Sequence, residues 1–146
     1  MILISHRGNI NGKKPDQENN PEYVLKALEQ GYHVEVDVWW NNGYWLGHDE
    51  PTYEIDISFL QRESIWCHAK NLNAFARLIK NFNVRCFWHQ EDDYTLTSCG
   101  HIWTFPKKLL YYDSVCVMPE LGYQGDISQC YAICSDYIEE YKKYER

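Results

Sequence analysis

Two carboxylates alternate with valines in the segment Val34–Val38. Successive side chains of a β-strand point to opposite faces, so Glu35 and Asp37 share one face, with Cα atoms about 6.6–7 Å apart. A buried pair of acids needs a compensating cation or base, and a divalent metal with oxygen ligands supplies one. A strand at the edge of the sheet, with one face in water, is the alternative. The segment therefore predicts either a metal or catalytic site or a solvated strand.

Polar side chains also end three other strand-like runs. His6 closes the first run and is followed by Arg7, His68 and Lys70 lie two apart at the end of the third, and His89 ends the fourth. One such histidine is more often structural. Four strands with polar ends indicate a functional site, because active sites of parallel α/β folds lie at the carboxyl ends of their strands.

Alternating strand and helix patterns must position these residues. The predicted strands are Ile2–His6, His33–Trp39, Ile65–Ala69, Val84–His89, His101–Thr104, Ser114–Met118 and Ala132–Ser135. The predicted helices are Pro21–Gln30, Asp56–Gln61, Leu72–Asn81 and Asp136–Tyr144, and Asn-Asn-Gly within Trp40–Trp45 predicts a hairpin. This alternation predicts an α/β fold with a mainly parallel sheet. With seven or eight strands in 146 residues, the number of residues per strand is smaller than the roughly 30 residues of a full βαβ unit. Several of the connecting helices must therefore be reduced to loops.

Composition bounds the domain organisation and the partners. A chain of 146 residues fits one domain, 1–146. The net charge of −7 argues against nucleic acid and against a membrane surface as partners. The start of the chain lacks the basic segment of a signal peptide, and four cysteines lie inside apolar runs, so we expect buried thiols in the cytoplasm. These are Cys67, Cys86, Cys116 and Cys134. The many aromatic side chains would also allow a homodimer.

Four motifs in residues 4–49 together resemble the glycerophosphodiester phosphodiesterase family, within the phospholipase-C-like phosphodiesterase TIM-barrel superfamily. They are Ile4-Ser5-His6-Arg7-Gly8, Glu18-Asn19-Asn20-Pro21-Glu22, Glu35-Val36-Asp37 and Gly47-His48-Asp49. Further on, Lys70 matches the end of the family's third strand, where His68 stands in place of an acid. The late segments Ile102-Trp103-Thr104 and Ile133-Cys134-Ser135-Asp136 also resemble family strands.

The resemblance implies a compact, shortened TIM-like (β/α) barrel that hydrolyses a small, soluble phosphodiester with the help of a metal. His6 and His48 would be the general acid and base, in either order, and histidine suits both roles because it titrates near neutrality. The other implied roles are phosphate binding by Arg7 and Lys70, substrate contacts by His89 and Trp103, and Mg²⁺ or Ca²⁺ binding by Glu35 and Asp37 with either His68 or Glu120 as third ligand.

Other interpretations of these residues remain open. Arg7 could form a structural ion pair with Glu35 or Asp37, His48 could be a surface residue, and His89 could cap a loop. A non-catalytic relative that binds a phosphate or sugar phosphate is the main alternative to an enzyme. An amidohydrolase-type metal barrel would need His-x-His on the first strand, which Ile4-Ser5-His6 does not supply.

Overall fold

The computed structural model describes residues 1–145 as an α/β fold with a mixed ten-stranded sheet. Its strands are β1 (Ile2–His6), β2 (His33–Trp40), β3 (Tyr44–Leu46), β4 (Tyr53–Ile55), β5 (Ile65–Ala69), β6 (Arg85–Phe87), β7 (Tyr94–Leu96), β8 (Ile102–Thr104), β9 (Val115–Val117) and β10 (Ala132–Ser135). Its α-helices are α1 (Pro21–Glu29), α2 (Ile57–Leu60) and α3 (Leu72–Leu78). Two 3-10 helices cover Pro119–Leu121 and Ile138–Tyr144.

Seven of the strands run parallel in the order β6-β5-β2-β1-β10-β9-β8. Strands β3 and β4 extend β2 as antiparallel hairpins, and β7 pairs antiparallel with β8. The first strand thus pairs with the last, and parallel strands that follow one another in the chain also pair, except β6 and β8. The sheet stays open between β6 and β8, where the Ser98 backbone N–H donates to the Cys86 carbonyl and the Ser98 hydroxyl accepts from the Cys86 N–H.

Short polar side chains begin each α-helix. The side chains of Asn20, Asp56 and Asn71 accept backbone N–H groups in the first turns of α1, α2 and α3. Such caps satisfy donors that have no partner inside the helix. Pro21 adds a preset φ at the first position of α1. In residues 1–145 no helix combines the length and apolar character needed to cross a bilayer.

Strand alternation separates two apolar layers. Val34, Val36 and Val38 face outward and pack with α1 and α3. On the inner side the bulky rings of Trp66, Phe87 and Trp103 join the small and branched residues of β1, β9 and β10. These aromatic rings fill the space that the strands enclose, and the polar strand ends lie above them.

Most of the predicted strands and helices form, and most of them are shorter than predicted. Three strands match in full (Ile2–His6, Ile65–Ala69 and Ala132–Ser135), and the Asn-Asn-Gly hairpin forms between β2 and β3. The helix predicted over Asp136–Tyr144 forms over Ile138–Tyr144, as a 3-10 helix and not as an α-helix. Strands β4 and β7 were not predicted, and each has only three residues. All six cysteines are free, and only Cys99 is exposed.

Candidate active site

The carboxyl ends of the parallel strands surround a cavity of about 610 Å³. The predicted residues that line it are His6, Arg7, Glu35, His48, His68, Lys70, His89 and Trp103. Parallel register explains the convergence: His6 on β1 lies beside Glu35 on β2, and Asp37 lies beside His68 on β5. Neighbours in register project to the same face of the sheet. The structure therefore brings these eight predicted residues together at one cavity, while Asp37 and Glu120 are not among the residues that line it.

Both carboxylates of β2 are buried, Glu35 at 2% and Asp37 at 0% relative exposure, so the solvated-edge alternative was wrong. Asp37 Oδ2 accepts a hydrogen bond from Asn19 Nδ2 at 2.9 Å and lies 2.9 Å from Arg7 Nε. Asp37 Oδ1 lies 3.2 Å from His68 Nδ1 and 3.6 Å from Lys70 Nζ. Burial favours the neutral acid, but these contacts outweigh it and hold the pKa of Asp37 well below its usual range.

The loop after β1 places Arg7 through an uncommon backbone conformation. Arg7 has φ +55°, and Gly8 has φ +94°. A Cβ on Gly8 would lie 2.6 Å from a ring carbon of Tyr23, so glycine is required there on steric grounds. The Arg7 guanidinium lies between Asp37 and Glu18, with Nη1 donating to Glu18 Oε2 at 3.1 Å. The predicted ion pair with Asp37 exists, and Arg7 also lines the cavity.

A carboxylate after the last strand orients His6. His6 Nδ1 lies 2.7 Å from Asp136 Oδ1, which also accepts from Asn9 Nδ2 at 2.8 Å. Burial raises the pKa of Asp136, but the contacts with His6 and Asn9 lower it more, so the acid is ionised. His6 Nε2 lies on the Glu35 side, 3.8 Å from Glu35 Oε2. The ring is therefore fixed with Nε2 at the cavity.

His48 reaches the cavity from the turn after β3. It is exposed, with 44% of its side chain accessible, and its Nδ1 lies 2.7 Å from Asp49 Oδ1. The turn is tied to β2, because Gly47 N–H donates to the Asp37 carbonyl and the Trp39 indole donates to the Gly47 carbonyl. His48 is thus a surface residue that also lines the cavity.

His68 occupies the position beside the two acids of β2. Its Nδ1 lies 3.2 Å from Asp37 Oδ1 and 3.6 Å from Glu35 Oε1, while its Nε2 lies 3.0 Å from the His89 carbonyl. Burial opposes the charged ring, but the two carboxylates outweigh burial and raise the pKa of His68 to about 9. Ligand atoms of Glu35, Asp37 and His68 lie within 4.8 Å of one another, a spacing that could hold a metal ion.

Glu120 is not brought to this cluster. Its Oε1 accepts the backbone N–H of Asp136 at 3.0 Å, so it supports the loop that carries Asp136. The geometry favours His68 over Glu120 as the third member of the acidic cluster. His89 contributes its carbonyl to His68 and lines the cavity, and Trp103 stacks on Phe87 at 4.4 Å to form its floor.

The opposite wall of the cavity is apolar. It consists of Phe105 and Pro106 after β8, Met118 and Leu121 after β9, and Val117 at the end of β9. Phe105 is 40% exposed and Leu121 50% exposed, so large apolar side chains stand at the cavity mouth. The cavity thus has one charged side and one apolar side.

Sequence reasoning gave no role to Asp136, Asn9 or Asn19. Asp136 directly follows β10, the same signal that singled out His6 and Lys70. Asn19 lies in the Glu18-Asn19 motif, and it meets Asp37 twice because Asp37 N–H also donates to Asn19 Oδ1. Buried amides that fix a carboxylate carry no distinct sequence pattern.

A second cavity, of about 720 Å³, lies beside α3 and β6. Its walls include Ile79, Phe82 and Leu96, all exposed, and none of the predicted site residues. The homodimer expected from the sequence stays a prediction.

Comparison of the chain with protein-family models, with curated proteins and with solved structures gave no match. The case for a function therefore rests on the residues and their geometry.

Proposed function

We propose that the protein hydrolyses a small phosphodiester with the aid of a divalent cation, as a short member of the glycerophosphodiester phosphodiesterase family. One observation carries this proposal. His6, oriented by Asp136, opens onto the same cavity as His48, Arg7 and Lys70, beside two buried carboxylates. A diester needs neutralisation of its charge, a base for the nucleophile and an acid for the leaving oxygen, and this set contains a group for each.

The fold part of the proposal is a shortened TIM-like barrel. In support, consecutive parallel strands pair at every step except between β6 and β8, and β1 pairs with β10 as the first and last strands of a barrel do. The break between β6 and β8 is spanned by the hydrogen bonds of Ser98 with Cys86 and by the stacked rings of Phe87 and Trp103. A barrel this small would be filled by aromatic side chains.

The residues around Asp37 fit a divalent cation. Glu35 Oε2 is buried and accepts no hydrogen bond within residues 1–145, and the buried Asp37 Oδ1 lies 3.2 Å from His68 Nδ1. Ligand atoms of Glu35, Asp37 and His68 lie within 4.8 Å of one another, which is close enough for one ion to contact all three side chains. A cation held by Glu35, Asp37 and His68 would draw charge from the phosphoryl oxygens of a bound diester.

The chain's own groups would perform the remaining steps. Arg7 and Lys70 hold non-bridging phosphate oxygens, because both present N–H donors at the cavity. Asp136 holds His6 so that Nε2 can take or give a proton, and His48 performs the complementary transfer. The apolar wall of Phe105, Met118 and Leu121 would receive one of the two ester groups.

The proposed location is a reducing compartment, the cytoplasm. Five of the six free thiols are buried in the core, where a reducing environment preserves them.

Hydrolysis of bis(p-nitrophenyl) phosphate tests the proposal. The full chain is assayed with Mg²⁺, Ca²⁺, Mn²⁺ and Zn²⁺ and with a chelator, beside His6→Gln, His48→Gln and the control His101→Gln. We expect metal-dependent turnover that falls by about 10²- to 10⁴-fold in the first two variants, the usual contribution of a general acid or base. The control should keep wild-type turnover, because His101 stacks on Tyr131 outside this cavity.

Substantial turnover in His6→Gln or His48→Gln, with folding intact by circular dichroism, would refute the two-histidine assignment. No turnover with any metal, combined with saturable binding of inorganic phosphate, would favour the non-catalytic phosphate-binding alternative.

A further inference from the structure

We infer that Glu35, Asp37 and His68 form a site for a borderline transition-metal ion such as Zn²⁺, with His68 Nδ1 as a direct ligand. This inference deepens the proposed function and rests on it. It also replaces the Mg²⁺ or Ca²⁺ expected from the family resemblance.

The spacing of the donor atoms suits a small ion. His68 Nδ1 lies 3.2 Å from Asp37 Oδ1 and 3.6 Å from Glu35 Oε1. Ligands about 2.0–2.2 Å from a tetrahedral Zn²⁺ lie roughly 3.3–3.6 Å from one another. The two separations from His68 are therefore close to those that such an ion requires, and all three donor atoms lie within 4.8 Å of one another.

The His68 ring is already held in the orientation of a ligand. Its Nε2 lies 3.0 Å from the His89 carbonyl, which can only accept, so Nε2 carries a hydrogen. The ring also stacks on Phe87, with centroids 5.0 Å apart and planes inclined by 10°. When an ion displaces the proton on Nδ1, the lone pair points at Glu35 and Asp37. A backbone carbonyl behind a histidine is the usual arrangement around metal-binding imidazoles.

Burial of an unsatisfied carboxylate supplies a second observation. Glu35 is 98% buried, and its Oε2 accepts no hydrogen bond within residues 1–145. A buried anionic oxygen of this kind is costly unless a cation approaches it. The other oxygen of Glu35, Oε1, lies on the side of His68 Nδ1, so the carboxylate adjoins the position that the ion would occupy.

The donor types select the class of ion. Ca²⁺ and Mg²⁺ prefer sets of oxygen ligands, whereas imidazole suits Zn²⁺ and its neighbours in the first transition row. Three protein ligands with a remaining open position are also the pattern of catalytic zinc sites. The adjacent cavity leaves that position accessible to a phosphate oxygen. His68 is thus the residue that sets the metal preference.

Imidazole ¹⁵N spectra of the metal-free full chain provide the direct test. We expect the His68 Nδ1 resonance to shift as Zn²⁺ is added and to stop shifting at one bound ion per chain. His68 Nε2 should keep its hydrogen throughout. Ca²⁺ and Mg²⁺ at equal concentration should leave Nδ1 in place. An unmoved His68 Nδ1 at saturating Zn²⁺, or a shift confined to His6 and His48, would overturn the inference.

A variant pair sharpens the test. His68→Glu creates an all-oxygen set, so the ratio of Zn²⁺ affinity to Ca²⁺ affinity, measured by titration calorimetry, should fall at least about tenfold. His101→Gln removes a histidine from outside the cavity and should leave the ratio at the wild-type value. An unchanged ratio in His68→Glu also overturns the inference. If His68→Glu does not fold, the wild-type spectra decide alone.

Hydrolysis assays separate this inference from the proposed function. Zn²⁺ bound at His68 without turnover of any diester would remove the proposed function and leave the metal site. Turnover supported by Mg²⁺ or Ca²⁺, with His68 Nδ1 unmoved by Zn²⁺, would retain the function and overturn the metal site.

Discussion

Asp136 Oδ1 lies 2.7 Å from His6 Nδ1, although 130 positions separate the two residues in the chain. The contact exists because β1 and β10 are parallel neighbours whose carboxyl ends coincide, with Ser5 beside Ser135. A buried carboxylate behind an imidazole fixes the tautomer and the direction of the other ring nitrogen. Asp136 is therefore a positioning residue for His6.

Replacing Asp136 with Asn should lower kcat by about 10²-fold or more while KM changes little, because the amide can hold His6 in the wrong tautomer. Steady-state kinetics with a chromogenic diester measure both constants. Asp126→Asn, at an exposed turn remote from the cavity, is the matched control. Equal kcat in the two variants would contradict the positioning role.

Removing Arg7 should destabilise the fold far more than removing Lys13. Arg7 contacts Asp37, which is fully buried, and loss of one partner of a buried pair costs roughly 3–5 kcal/mol. The Lys13 side chain is 62% exposed and lies 3.7 Å from Asp136, so its loss should cost below about 1 kcal/mol. Urea unfolding of Arg7→Met and Lys13→Met gives the two values, and similar values would show that Asp37 does not depend on Arg7.

His33 should make the fold sensitive to mild acid. Burial, aided by Arg85, lowers the pKa of His33 to about 4, and its Nδ1 accepts a hydrogen bond from the Trp66 indole. The unfolded chain takes up this proton near pH 6.5, so the contribution to stability is complete above that pH and is lost as the pH falls towards 4.

His33→Asn keeps an acceptor for Trp66 and removes the titration. The difference in unfolding free energy between wild type and variant should therefore shrink or change sign between pH 7 and pH 4. A difference that is constant over this range would exclude His33 as a source of acid sensitivity.

The apolar wall should discriminate between ester groups. Phe105→Ser should raise KM for a diester with an aryl or butyl group about 10-fold and leave dimethyl phosphate unaffected, since a fully buried aromatic contributes about 1.5–3 kcal/mol and Phe105 is partly exposed. Phe82→Ser, at a fully exposed side chain beside the second cavity, is the control. Equal effects on both diesters would show that the wall does not contact substrate.

The fold was largely accessible from the sequence because its strands have strong local patterns. The alternation of valines and acids in Val34–Val38 gave β2, and Asn20-Pro21 gave the start of α1. The short strands β4 and β7 escaped prediction, since three residues carry too little periodicity. They form through pairing with β3 and β8, which local patterns do not reveal.

Several residues of the candidate site could be predicted because polar side chains at the ends of strands indicate such sites. His6, His68 and Lys70 follow that rule, whereas Glu35 lies within β2 and was selected by its alternation with valines; all four line one cavity. Glu120 lies beyond β9, in the 3-10 helix that follows Met118, and its Oε1 accepts the backbone N–H of Asp136. Such directions are set by tertiary contacts, which residue type and spacing do not encode.

The pairing of β1 with β10 also has a consequence for the order of folding. The contact between His6 and Asp136 joins residues that are 130 positions apart. Closing so long a loop costs conformational entropy before the contact can form, so non-local pairings of this kind form slowly. The orientation of His6 is therefore expected to be fixed after the local hairpins and helices.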